Sequence, residues 1–161
     1  MSKGPMTLAA AIAAAALAGC GGSSSNSSSG PSLSAFKSGW QAQKASFAAI
    51  GTDLQTAIAT ASTTSAPKIA SEFASLGSRM THAASALRAL KPPARYQTRV
   101  GQLAAAFDAV SGDMTAVSTA ANHNDVTAAR TAAAKLVTDW ATIHAADLVL
   151  SHEFGFPVTG G

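Results

Sequence analysis

From Leu33 to Leu150 the apolar residues recur at alternating steps of three and four, which lays one stripe along an α-helix and does not fit the two-residue period of a strand. Four stretches carry this pattern. The first runs through Phe36, Trp40, Phe47, Ile50, Leu54, Ile58 and Ala61, and the second through Ile69, Phe73, Leu76, Met80, Ala83, Leu87 and Leu90. The third holds Tyr96, Val100, Leu103, Phe107, Val110, Met114, Val117 and Ala121. The fourth holds Val126, Ala129, Ala133, Leu136, Trp140, Ile143 and Leu150, with Asp147 standing where the next apolar residue is due.

The breaks between stretches have chemical causes. Ser65 and Pro67 open the second helix, because a side-chain oxygen can cap free amides and proline is tolerated in a first turn. Pro92-Pro93 ends it, since proline disfavours a helical residue before it and offers no amide hydrogen. Asn122, Asn124 and Asp125 are turn and capping residues that separate the third helix from the fourth. Connections this short force antiparallel neighbours. The expected fold is therefore all-α, an up-down-up-down antiparallel four-helix bundle over residues 33–153, followed by a C-terminal tail, residues 154–161. Hydrophobic residues make up 47% of the chain but aromatics only 6%, so alanine supplies much of the apolar surface and the helices should pack closely. At an offset of 60, Phe47, Ala49, Ile50, Asp53 and Leu54 align with Phe107, Ala109, Val110, Asp113 and Met114. This is either a duplicated helical hairpin or the overlap any two alanine-rich heptad helices show.

Before the bundle the chain reads differently. Lys3 precedes an uncharged apolar run, Thr7 to Leu17, which has the length of a secretory signal and is too short to span a bilayer. The run ends in Leu17-Ala18-Gly19-Cys20, a branched apolar residue and two small residues before a cysteine. This tetrad resembles the lipobox of bacterial lipoproteins. The resemblance implies that residues 1–19 are a signal peptide, that Leu17, Ala18 and Gly19 are read by the signal peptidase, and that the Cys20 thiol carries diacylglycerol. Beyond residue 20 the composition is similar to that of small alanine-rich helical envelope lipoproteins of high-GC bacteria, which implies no activity. The segment 20–32 continues as GGSSSNSSSGPS after the cysteine, a composition expected to behave as a flexible tether with a span of about 20 Å. Two acyl chains on Cys20 would hold the protein at the extracytoplasmic face of a membrane.

Cys20 is the sole cysteine, so a lipidated chain has no thiol for a disulfide, a redox centre or a thiolate metal site. The charge is slight. There are 11 Lys and Arg against 8 Asp and Glu, and loss of Lys3 with the leader reduces the excess to two, which argues against nucleic acid as a partner. Between Phe73 and Phe107 there is no acid, yet Arg79, Arg88, Lys91, Arg95 and Arg99 lie there around the Pro92-Pro93 turn. In the expected topology this turn shares a pole with the tethered start of the first helix. Arg88, Lys91, Arg95 and Arg99 are therefore candidate contacts for anionic headgroups or wall polymer; the alternative is a solvated end whose cations complement helix C-termini.

His144, Asp147 and His152, with Glu153, form the one cluster with any metal-ligand character, His144 and Asp147 sharing a helix face. His144-x-x-Asp147 only partly resembles the His-x-x-Glu motif of imelysin-type iron-associated proteins. The Glu-x-x-His spacing of carboxylate di-iron bundles and the Cys-x-x-Cys-His of attached haem are both absent from the sequence. The reading is no cofactor, with His144 bordering the core. Asp53 and Asp113 flank their stripes at matching positions and read as cap or ion-pair partners before they read as an acid and base pair. The sequence has neither a nucleophile elbow nor a phosphate-cradling loop, so enzymatic activity is not expected. Phe154, Gly155, Phe156 and Pro157 either fold over the open end of the bundle or dock on a partner. The expected role is a non-enzymatic, lipid-anchored envelope bundle with structural or binding work, its partner an envelope protein, lipid or wall polymer. The rival role is a bundle that binds a small ligand, metal or haem between its helices.

Overall fold

The apolar spacing becomes four helices in the computed structural model, which describes residues 32–156: α1 (Leu33–Thr60), α2 (Ala66–Ala89), α3 (Ala94–Asn122) and α4 (Val126–Phe154). They form an antiparallel four-helix bundle without strands among the described residues. The expected signal peptide, the Leu17-Ala18-Gly19-Cys20 tetrad, most of the expected tether and residues 157–161 lie outside the described residues.

Ser32 caps α1, its hydroxyl accepting the Ala35 amide at 3.2 Å, and Asp125 caps α4 by accepting the Ala128 amide at 2.9 Å. Ser65 does stand at the N-cap of α2, but its hydroxyl makes no capping bond, and Pro67 does the local work by fixing the first turn. The α1 C-terminus carries a feature the spacing does not reveal. Thr56 and Thr60 donate their hydroxyls to carbonyls four residues back, as does Thr64, and the chain tightens into a short 3₁₀ turn at Ala61–Thr63. Lys91 and Asn124 take left-handed backbone angles in the two later turns, φ 46° and 54°.

α4 runs one residue beyond its expected end. Gly155, at φ 69°, supplies the left-handed residue of a Schellman cap, its amide donating to His152 O at 3.1 Å and that of Phe156 to Ser151 O at 2.9 Å. Phe154 thereby stays helical and buried.

The helices are not equally close. α2 and α3 meet through small residues at heptad spacing, Ala70, Gly77 and Ala84 on one side and Ala104, Ser111 and Ser118 on the other. The two buried serines donate to α2 carbonyls, Ser111 to Gly77 O at 2.8 Å and Ser118 to Ala70 O at 2.7 Å. Each hydroxyl is thus satisfied without water, and the backbones can approach. α3 also packs along α4. By contrast α1 lies against the others mainly through side chains, touching closely near Gly39, where an added Cβ would fall 2.6 Å from Leu90 Cδ2.

Aromatic residues close one pole. Phe154 has ring centroids 5.3 Å from Phe36, 4.8 Å from Tyr96 and 5.9 Å from Trp40. Since these residues belong to the start of α1, the start of α3 and the end of α4, the contacts show that the three termini share that pole. Two large stripe residues are exposed: Ile58 at 40% and Val126 at 61%. Both lie in terminal turns, where the stripe has no further turn to pack with. No helix among the described residues is long and apolar enough to cross a membrane.

Candidate functional site

The seam between α1 and α4 follows a strict register. Steps of seven along α1, from Lys37 to Lys44 to Gly51, are matched by steps of seven back along α4, from Phe154 to Asp147 to Trp140. At the aromatic pole Lys37 Nζ donates to Phe154 O at 2.8 Å, so a cation satisfies a terminal carbonyl of α4. One heptad on, Lys44 Nζ donates to Ser151 Oγ at 3.0 Å and stands 3.7 Å from Asp147 Oδ2. At the third position the Trp140 ring lies over Gly51, 3.0 Å from where a Cβ would be.

Between the second and third contacts the two helices part. A cleft of about 430 Å³ opens there, floored by Leu103 and Phe107 of α3 and walled by Phe47, Trp140 and Ile143. His144, Asp147, Lys44 and Ser151 gather at one end of it. The half-buried rings of Phe47 and Trp140 leave aromatic surface uncovered, and Phe47 lies 4.8 Å, centroid to centroid, from buried Phe107. Asp147 Oδ1 is buried without a hydrogen-bond partner. The rest of the Asp147 carboxylate is reachable from solvent, the side chain being 26% exposed, so Oδ1 is the enclosed oxygen of a surface-bordering group.

The structure does not bring His144, Asp147 and His152, the cluster with metal-ligand character in the sequence, together around one point. Asp147 and His144 line the cleft, but Asp147 engages Lys44, His152 is exposed, and neighbouring Glu153 pairs with Arg99. Among the described residues no group of three or more His, Cys, Asp or Glu side chains is arranged to hold a metal ion. His82 lies apart, its Nδ1 donating to Ser78 O at 2.9 Å. His123 is in the exposed α3–α4 turn.

Asp53 and Asp113 do not meet. Asp53 pairs with Arg79 of α2 at 2.6 Å, while buried Asp113 accepts from Lys135 of α4 at 2.9 Å. Lys135 also reaches Asp139 at 2.6 Å, and it is this hydrogen bond that chiefly lowers the Asp139 pKa and raises that of Lys135. The two shifts act at opposite ends of the pH scale. A carboxyl whose folded-state pKa is depressed adds stability above the usual aspartate range, lost as pH falls through the folded value; a raised lysine adds stability below its usual range, lost as pH rises through its folded value. Urea midpoints measured near pH 7 and near pH 3 should fall on the acid side, and Lys135→Met should lower the neutral midpoint while shrinking the difference between the two. An unchanged difference would remove this triad from the acid response.

The basic turn is partly neutralised. Arg88 pairs with Asp108, whose hydrogen bond is the main cause of the raised Arg88 pKa, and Arg99 pairs with Glu153. Arg95 lies over the Tyr96 ring, 4.6 Å from its centroid. Lys91 and Arg95 have no carboxylate partner among the described residues.

Sequence reasoning singled out Asp147 and His144 but not Lys44 or Ser151. The signal was a coincidence of two gaps: the α1 stripe skips from Trp40 to Phe47 across Lys44, and the α4 stripe is interrupted at Asp147. No protein-family model, curated protein or solved structure matches the chain.

Proposed function

We propose that the protein is a lipid-anchored, non-enzymatic binding module of the cell envelope, held at the extracytoplasmic face of a membrane through Cys20. The observation that carries this reading is the Leu17-Ala18-Gly19-Cys20 tetrad at the end of an apolar run, a short Ser/Gly segment before a folded helical domain. The domain itself supports a binding role over a purely structural one. Its α2–α3 and α3–α4 seams are closed by packing, whereas the α1–α4 seam opens into a cleft with half-buried aromatic surface.

The start of α1, the start of α3 and the end of α4 share one pole. On this reading the anchored segment joins the domain at that pole, which is then the one nearest the membrane. Lys91 and Arg95 are then the cations that meet anionic headgroups or wall polymer, while Arg88 and Arg99 spend their charge on Asp108 and Glu153.

Intact-mass measurement of the membrane fraction tests the anchor. The expected chain begins at Cys20 with a mass excess for diacylglycerol, and Cys20→Ser should lose both the lipid and the cleavage at that site while the helices remain folded. A mature chain starting elsewhere, or one without lipid, overturns the reading.

A further inference from the structure

We infer that the pole formed by the α2–α3 turn and the end of α4 is a lipid-docking surface, on which Lys91 and Arg95 bind anionic headgroups without help from the acyl anchor. This rests on the reading of that pole as the one nearest the membrane, and it selects the bilayer over wall polymer as the partner.

Lys91 holds a left-handed backbone, φ 46°, which glycine adopts at less cost. Its side chain is exposed and has no carboxylate partner among the described residues. A lysine kept where glycine costs less implies a use for its charge outside the domain. Arg95 repeats the pattern. The Tyr96 ring holds its guanidinium at 4.6 Å, and no carboxylate among the described residues neutralises it. Glu153, the acid nearest the end of α4, is already paired with Arg99. An ammonium and a guanidinium are thus left to donate to phosphate oxygens. The turns of the opposite pole, 61–65 and 123–125, contain no Lys or Arg.

Apolar surface selects the bilayer. On the same pole as these cations, Leu33, Leu90, Pro92, Pro93 and Phe156 are only half-buried. A solvated polyanion covers no apolar surface, whereas the headgroup boundary takes up apolar side chains beside cations that reach phosphate. The chain that leads back to Cys20 also joins the domain here, at Ser32, and its expected span of about 20 Å keeps the pole within reach of the headgroups.

The test uses the chain from residue 20 carrying Cys20→Ser, an unlipidated mature form that contains all four helices. Absence of vesicle binding would overturn the docking surface and leave the anchor standing, and a mature chain that starts elsewhere leaves the vesicle result readable. Because Cys20 is the sole cysteine, Ala94→Cys or His123→Cys places an environment-sensitive dye at one pole or the other, each on an exposed position. Vesicles of equal parts phosphatidylglycerol and phosphatidylcholine should bind the chain at low salt, shifting the dye at 94 and not the dye at 123. Phosphatidylcholine alone should bind at least about tenfold more weakly, as should the Lys91→Ala, Arg95→Ala double variant with the mixed vesicles. Lys91→Gly separates docking from stability. Glycine relieves the left-handed backbone, so the urea midpoint should not fall, while vesicle affinity drops about fivefold. A lysine kept to complement the α2 C-terminus would give the reverse, a lower midpoint with unchanged affinity. That result, equal dye responses at the two poles, binding that survives the double substitution, or soluble polyphosphate bound as tightly as the vesicles would also overturn the proposal, the last in favour of wall polymer.

Discussion

Trp40→Ala is expected to cost the domain about 3–5 kcal/mol, which for a bundle of ordinary stability is a large part of the whole. Trp40 is fully buried and touches two aromatic residues of its own helix, Phe36 and Phe47, at 6.3 Å between ring centroids, and Phe154 of α4 at 5.9 Å. Alanine would leave a cavity lined by these rings, which cannot fully collapse because two are held on α1 and the third on α4 in a close-packed core. A fall in melting temperature of roughly 10–20 °C should follow, read by circular dichroism. Trp40→Phe separates packing from polarity. The indole N–H is buried without an acceptor, so phenylalanine removes an unsatisfied donor along with some contact area. Its cost should be no more than about half that of alanine. Equal losses for the two variants would mean that the indole N–H is satisfied in solution.

The bundle was legible in the sequence because its core positions obey one period over more than a hundred residues and its breaks are chemically abrupt. Pro92-Pro93 and Asp125 end or begin helices where their chemistry requires. The end of α4 was misplaced because Phe154 was grouped with the tail, although Gly155 beyond it is the residue that makes a left-handed cap. The alanine content pointed to close helix packing, but the sequence did not single out the heptad rows Ala70-Gly77-Ala84 and Ala104-Ser111-Ser118 as the place where it occurs. Their importance depends on facing each other, which is a property of two helices together.

The cleft was legible only in halves for the same reason. Asp147 announced itself by interrupting a stripe, yet nothing singled out Lys44, since a single helix gives no cause to connect it with α4. Once the antiparallel register fixes Lys37 against Phe154, every seventh residue along α1 meets its counterpart on α4, and Lys44 falls opposite Asp147. The basic turn shows the converse error. The run from Phe73 to Phe107 has no acid in sequence, but folding brings Asp108 to Arg88 and Glu153 to Arg99. Linear charge segregation therefore overstated the charge this pole presents.

Phe154→Ala is expected to destabilise the domain about as much as Trp40→Ala, by about 3–5 kcal/mol, and this decides the role of the chain's end. A peptide kept for a partner would be dispensable to the fold. Phe154 instead lies 3% exposed at the centre of the aromatic pole, within 6 Å of the rings of Phe36, Tyr96, Trp40 and Phe156. Its carbonyl also accepts from Lys37, so loosening α4 here withdraws one of the few bonds holding α1. Urea denaturation of the variant should show the loss, and hydrogen exchange should show protection falling first in the last turns of α4 and the first turns of α1. A midpoint within experimental error of the parent would return the segment to the docking reading. The double variant Trp40→Ala, Phe154→Ala gives the sharper test. Because the two rings touch, the second substitution removes contacts the first has already lost, and the combined cost should fall short of the two single costs together. Strict additivity would mean that the aromatic pole is two independent packing sites instead of one cluster closing the bundle.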